Sequence, residues 1–328
     1  MPRLDEKLAR IHAGKYSAGD FILADAKDPD MGPGLWALGP KRENGRETGR
    51  FRTRAEFLDE IRAIVAQDLV DVMLVSLSNL EALTATGTFA GSKVKPVIRA
   101  NDTTDIWRAR GARYHEKPSR PFRTADLAEV AKFTDLGLYS VTFNDDLDAD
   151  VASLDAYRAF RAEARAQGVR HFLEVFNPNV PVGFPPEALG AYVNDCIARC
   201  LAGLTRAERP LFLKIAYNGP RAMEELCSYD PSLVVGVLGG GAGTTRDCFE
   251  LIRQAETHGA RVALFGRKIN LAESPLDMVR HMRLVADRSM SPSEAVRSYH
   301  SALAKAGISP LRAPGDDDAV TEPALKLG

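Results

Sequence analysis

The sequence predicts an α/β chain folded as a (β/α)8 TIM barrel with an extra C-terminal helix, and three observations carry that expectation. Eight short apolar runs recur along the 328 residues, roughly 22 to 50 residues apart. Amphipathic helical patterns lie between most of them, as parallel strands require, because each crossover needs a covering helix. The first run leads into "AKDPDMGPG" rather than a GxGxxG turn, which argues against an open dinucleotide-binding sheet.

In order, the expected strands are "FILAD" (21–25), "DVMLVS" (71–76), "KPVIRA" (95–100), "LYSVTF" (138–143), "HFLEVF" (171–176), "LFLKI" (211–215), "LVVGVL" (233–238) and "RVALFG" (261–266). The clearest helical patterns cover 54–67, 154–167, 186–203, 245–259 and 275–287. The last helix, in "SPSEAVRSYHSALAKAGI", opens with a Ser-x-x-Glu capping box and stops at Gly307, which puts it outside the barrel. Residues 1–310 read as a single barrel. Residues 311–328, with Pro, Gly and an acidic run, read as a flexible or peripherally docked tail.

Composition narrows the function classes. Net charge is −1, so nothing global points to nucleic acid or a membrane surface. No stretch approaches 18 apolar residues, and the mixed-charge N-terminus has no apolar core of a signal peptide, so a cytoplasmic location is expected. Cys196, Cys200, Cys227 and Cys248 lack paired CxxC spacing and read as small buried hydrophobes. Neither HxH nor HExxH occurs among the six histidines, and the reading asks for no metal and no cofactor.

The chemistry-bearing residues sit at the ends of these strands, where a barrel places its active site. Lys214 stands in the otherwise apolar run "LFLKI"; a buried ammonium is costly, and a desolvated lysine is a nucleophile. Asp25 ends the first strand, with Lys27 two residues on, and Glu174 lies in "FLEVF". Three ionisable groups at one end of a barrel offset one another's desolvation and set one another's pKa values. Strand 7 leads into Gly239, Gly240 and Gly241, and strand 8 into Gly266 and Arg267. Backbone N–H groups in such turns approach an anion closely, and the loops after strands 7 and 8 commonly hold phosphate. The basic segment 108–123 carries Arg108, Arg110, Arg113, Lys117, Arg120 and Arg123, and reads either as a solvated loop or as a lid or subunit contact for a second anionic group. The segment 41–54, "KRENGRETGRFRTR", reads as exposed or interfacial.

Together these residues resemble the class I, Schiff-base aldolases of the deoxyribose-phosphate, bacterial and archaeal fructose-bisphosphate and tagatose-bisphosphate type. The resemblance runs from residue 20 to about 287. It rests on Ala24-Asp25 with Lys27 following, on Lys214 followed by a hydrophobic residue and "YNG", on the triple glycine, and on "ALFGRKI". It implies that Lys214 forms the imine, that Asp25 is its acidic partner, and that Glu174 takes part in proton transfer. Lys27 would bias the amine toward its neutral form or touch substrate. The lysine that one branch carries on strand 4 is absent from "LYSVTFN", and Tyr139 or Thr142 would take its place. The substrate implied is a phosphorylated sugar or a similar anionic keto compound, and a homo-oligomer is expected. The same lysine would also serve a transaldolase, a thiolase-like cleavage or a decarboxylation, and without catalysis the barrel would be a sugar-phosphate-binding module.

Overall fold

Eight parallel strands close on themselves in chain order. They are β1 (Ile22–Lys27), β4 (Val72–Val75), β5 (Lys95–Arg99), β6 (Leu136–Thr142), β7 (Arg170–Phe176), β8 (Leu213–Ile215), β9 (Gly236–Leu238) and β10 (Val262–Phe265), with β10 pairing back onto β1. This is a computed structural model, and it describes residues 2–43, 46–101, 109–241 and 243–327. Each strand lies in one of the eight apolar runs or overlaps it. Both faces of a barrel strand are covered, which is why the runs show no polar alternation.

The expected helices form: α2 (Arg54–Gln67), α5 (Leu147–Ala166), α6 (Leu189–Ala202), α8 (Thr245–Thr257), α10 (Pro275–Ala286) and, outside the ring, α11 (Pro292–Lys305) packed on α8 and α10. Helix α5 starts at Leu147 rather than at residue 154. Asp146 caps it by accepting from the Ala149 amide, while exposed Leu147 and Val151 obscure its apolar stripe. Further elements go beyond the sequence reading, and four features stand out. Two are the short covering helices α3 (Leu77–Ala85) and α7 (Pro220–Tyr229); the third is a hairpin, β2 (Pro40–Glu43) with β3 (Arg46–Phe51), inserted after β1. The fourth, α1 (Arg3–His12), plugs the N-terminal end of the barrel with Leu4 and Leu8, which pack into the interior with Ile22 and Phe172.

Two apolar layers follow from the pleat. Ile22, Ala24, Ala26, Leu138, Phe172 and Phe212 fill the barrel interior. Leu23, Met73, Tyr139, Leu173, Leu213 and Val237 face the helices. Beyond residue 310 the chain lies against α8: Asp317 accepts from the Thr245 amide, Asp247 accepts from the Thr321 amide and hydroxyl, and Leu325 is buried. Among the described residues, no helix is long and apolar enough to cross a membrane.

Candidate active site

Register places the interior polar groups at one height. Ser140 on β6 is level with Glu174 on β7, which is level with Lys214 on β8. All three follow interior apolar residues by two positions (Leu138, Phe172 and Phe212), so the pleat turns them inward. Lys214 Nζ lies 2.6 Å from Glu174 Oε1. The other carboxylate oxygen, Oε2, accepts from Ser140 Oγ at 2.7 Å and from Arg99 Nη2 at 3.3 Å. Arg99, at the end of β5, also donates from Nη1 to Ser140 Oγ at 3.1 Å and from Nε to Asp28 Oδ2 at 2.5 Å. A carboxylate held from one side leaves its second oxygen aimed at the lysine.

This network opens on a cavity of about 180 Å³ at the C-terminal mouth of the barrel. Lys214, Glu174, Arg99 and Asp28 line one part of it; Gly239, Gly240, Gly266 and Arg267 line another. The glycines are required there. A Cβ on Gly239 would sit 2.5 Å from Phe265 Cδ1, and one on Gly266 would sit 2.8 Å from the Ala26 carbonyl. Arg267 Nη2 donates to the Gly240 carbonyl at 2.7 Å and so ties the two loops together. Gly241 lines the neighbouring cavity, beside Asn218 and Glu322, and not this one. Among the described residues, no group of His, Cys, Asp and Glu could hold a metal ion.

Among solved structures, three of the similar ones span nearly all of their own chains. A Schiff-base-forming fructose-1,6-bisphosphate aldolase, studied through its reaction intermediates, shares 15% identity at a TM-score of 0.60, covering 86% of this chain and 99% of that one. An archaeal fructose-1,6-bisphosphate aldolase, with its catalytic lysine bound to the carbinolamine intermediate, shares 16% at 0.60, covering 87% and 99%. A Corynebacterium glutamicum protein shares 16% at 0.59, covering 88% and 99%. The fold is that of the Schiff-base aldolases. No protein-family model and no curated protein matches the sequence.

On this aldolase-type barrel the expectation for β1 needs correction. Asp25 and Lys27 do not converge with Lys214 and Glu174. Ala24 and Ala26 face the interior, so the residues between and after them face the helices. Lys27 is fully buried over the Phe57 ring of α2 and bonds to Glu60 and, at 3.4 Å, to Asn270 Oδ1. Asp25 lies 3.8 Å from Lys27 Nζ, and neither of its oxygens has a hydrogen-bond partner among the described residues. Burial pushes the Asp25 carboxyl up to about 7 and the Lys27 ammonium down to about 8. Neither residue lines the cavity.

Tyr139 is displaced for the same reason. It points outward and stacks on Phe160 of α5, with ring centroids 4.3 Å apart, and it does not line the cavity. Its neighbour Ser140 holds the interior place. The sequence reading missed Asp28, Arg99 and Ser140. One usable signal was present: the small residues in Ala24-x-Ala26-x-Asp28 share a phase, and that phase selects Asp28 over Asp25. In the basic segment, Arg108 lies outside the described residues. Arg110, Arg113, Lys117, Arg120 and Arg123 are exposed, and none lines the cavity.

Proposed function

We propose that the protein is a class I aldolase that makes or breaks a C–C bond in a phosphorylated sugar or a related anionic keto compound through an imine on Lys214. The observation that carries this reading is the lysine itself: an amine inside the barrel mouth, 2.6 Å from a carboxylate oxygen and facing an open cavity. The ammonium gives its proton to Glu174 and the neutral amine attacks the substrate carbonyl. Protonation of the carbinolamine hydroxyl by Glu174 lets water leave and forms the iminium. The electron pair of the C–C bond then moves toward the iminium nitrogen, giving an enamine and a free aldehyde. Glu174 or Asp28, the two carboxylates lining the cavity, takes the proton of the hydroxyl that becomes that aldehyde. Protonation of the enamine carbon and hydrolysis of the imine return the lysine.

The glycine turns and Arg267 support an anionic end group on the substrate, which holds the carbonyl against the amine. The test is borohydride reduction in the presence of a panel of phosphorylated ketoses. A stable adduct should appear on the peptide containing Lys214, with the mass of one substrate. Labelling at Lys27 or Lys268 instead, or no labelling with any member of the panel, would sink the reading.

A further inference from the structure

We infer that the protein binds a small organic monoanion at Lys268, in a second cavity outside the barrel mouth. That cavity, about 450 Å³, lies between the β2–β3 hairpin, the short helix α9 (Arg267–Asn270) and the segment from Leu311 to Asp317. Consecutive residues of α9 serve the two cavities: Arg267 lines the catalytic one and Lys268 the other. Trp36 and Leu271 line both and form part of the wall between them.

Four lysines are buried among the described residues. Lys7 donates to the Phe21 carbonyl and to Asp71, Lys27 to Glu60, and Lys214 pairs with Glu174. Lys268 is only 8% exposed, yet among the described residues its ammonium has no hydrogen-bond acceptor and no ion-pair partner. Of the three carboxylates in the cavity wall, Glu47 pairs with Arg42 at 3.5 Å. Glu273 and Asp317 stand beyond ion-pair distance of Lys268, with both oxygens of each already in contact with other groups. Glu273 accepts from the Leu311 amide at 2.7 Å and from the Tyr299 hydroxyl at 2.9 Å. Asp317 accepts from the Thr245 amide at 2.8 Å and lies 3.0 Å from His300 Nε2. The stem of Lys268 is buried while its nitrogen still reaches the open cavity, so the three donors of the ammonium are free to meet an incoming oxygen.

The rest of the lining states what kind of oxygen. Arg312, half-exposed and 3.9 Å from Asp317, adds a second cation, whereas Arg42 is pinned to the Leu271 and Ala272 carbonyls. Glu273 and Asp317 would repel a second negative charge on the ligand, which selects a monoanion over a dianion. Trp36, Phe51 and Leu311 are 39%, 43% and 52% exposed, and they give an apolar body somewhere to lie. A monocarboxylate with an aromatic or aliphatic tail meets all three conditions.

Isothermal titration calorimetry of the full chain with 4-bromobenzoate, with 4-bromobenzamide as its neutral counterpart, tests this. Saturable binding of the carboxylate is expected, at least about tenfold weaker in Lys268→Met and weaker by a similar factor for the amide, the loss of roughly one charge-assisted hydrogen bond. Arg267→Met should leave that affinity within about twofold, since Arg267 lines the catalytic cavity and not this one. No saturable binding by the wild type, equal binding by Lys268→Met, equal binding of the amide, or loss of binding only in Arg267→Met would each overturn the assignment. None of these readouts depends on imine formation at Lys214.

Discussion

At the N-terminal end of the barrel, Asp71 pairs with Arg3 at 2.8 Å, Lys7 at 3.0 Å and Arg283 at 2.8 Å, and accepts the Leu23 amide at 2.8 Å. At the C-terminal end, Glu174 meets Lys214, Arg99 and Ser140 at similar distances. Each carboxylate is almost wholly buried, and each gathers cations from separate elements. The difference lies in what the cations face. Lys7 and Arg283 both donate to the Phe21 carbonyl as well, so the donors of the lower cluster are spent on stitching α1, β1, β4 and α10 together. Lys214 spends one contact on Glu174 and presents its remaining surface to the cavity. A buried charge cluster becomes a reaction site when one member is left with unfilled capacity toward an opening.

Substitutions at the two ends should therefore separate activity from stability. Lys214→Met should lower turnover by about a thousandfold or more and abolish borohydride trapping, with little change in the melting curve. Near wild-type turnover would remove the lysine from the chemistry. Asp71→Asn should do the reverse, destabilising by about 3–5 kcal/mol because three cations lose their shared carboxylate, while kcat per folded molecule is retained. Denaturant titration alongside active-site counting checks both halves. Ser140→Ala removes the hydroxyl donor to Glu174 and should lower kcat by about tenfold with KM little changed, since Arg99 still holds the same oxygen. A fall in KM-controlled binding alone would show that Ser140 contacts substrate instead.

The smaller effects belong to the outward face. Asp25 keeps its proton up to about pH 7 when folded, whereas the unfolded chain releases it near the ordinary carboxylate value of 3.8. Between those values the folded state binds more protons, so its contribution to stability falls as pH rises from about 4 to 7. Asp25→Asn should flatten that slope, gain about 1 kcal/mol above pH 7, and keep turnover. Melting curves across this range check the slope, and lost activity would return Asp25 to the site. Tyr139→Phe should be the mildest change, with turnover within about twofold of wild type, because its ring rather than its hydroxyl packs against α5. A larger loss in the same rate assay would place the hydroxyl in the reaction.

The amino-acid sequence by itself determined the ring of eight strands, the covering helices and the extra C-terminal one, because unbroken apolar runs and amphipathic repeats are local patterns. It also determined Lys214, Glu174, the glycine turns and Arg267 as site candidates, since a charge inside an apolar strand and glycines after two successive strands are visible without a fold. Outside β1, the tertiary structure alone decided which face a strand residue presents. A barrel strand is buried on both sides, so nothing local marks Ser140 as the inner residue and Tyr139 as the outer one, and on β1 only the small residues Ala24 and Ala26 carry the phase that leads to Asp28. Arg99 gave no local sign either: it reads as the end of a strand until register brings it beside Ser140 and Glu174. Closure of the ring supplies that information, because the radius of the barrel fixes which side of every strand points at the axis.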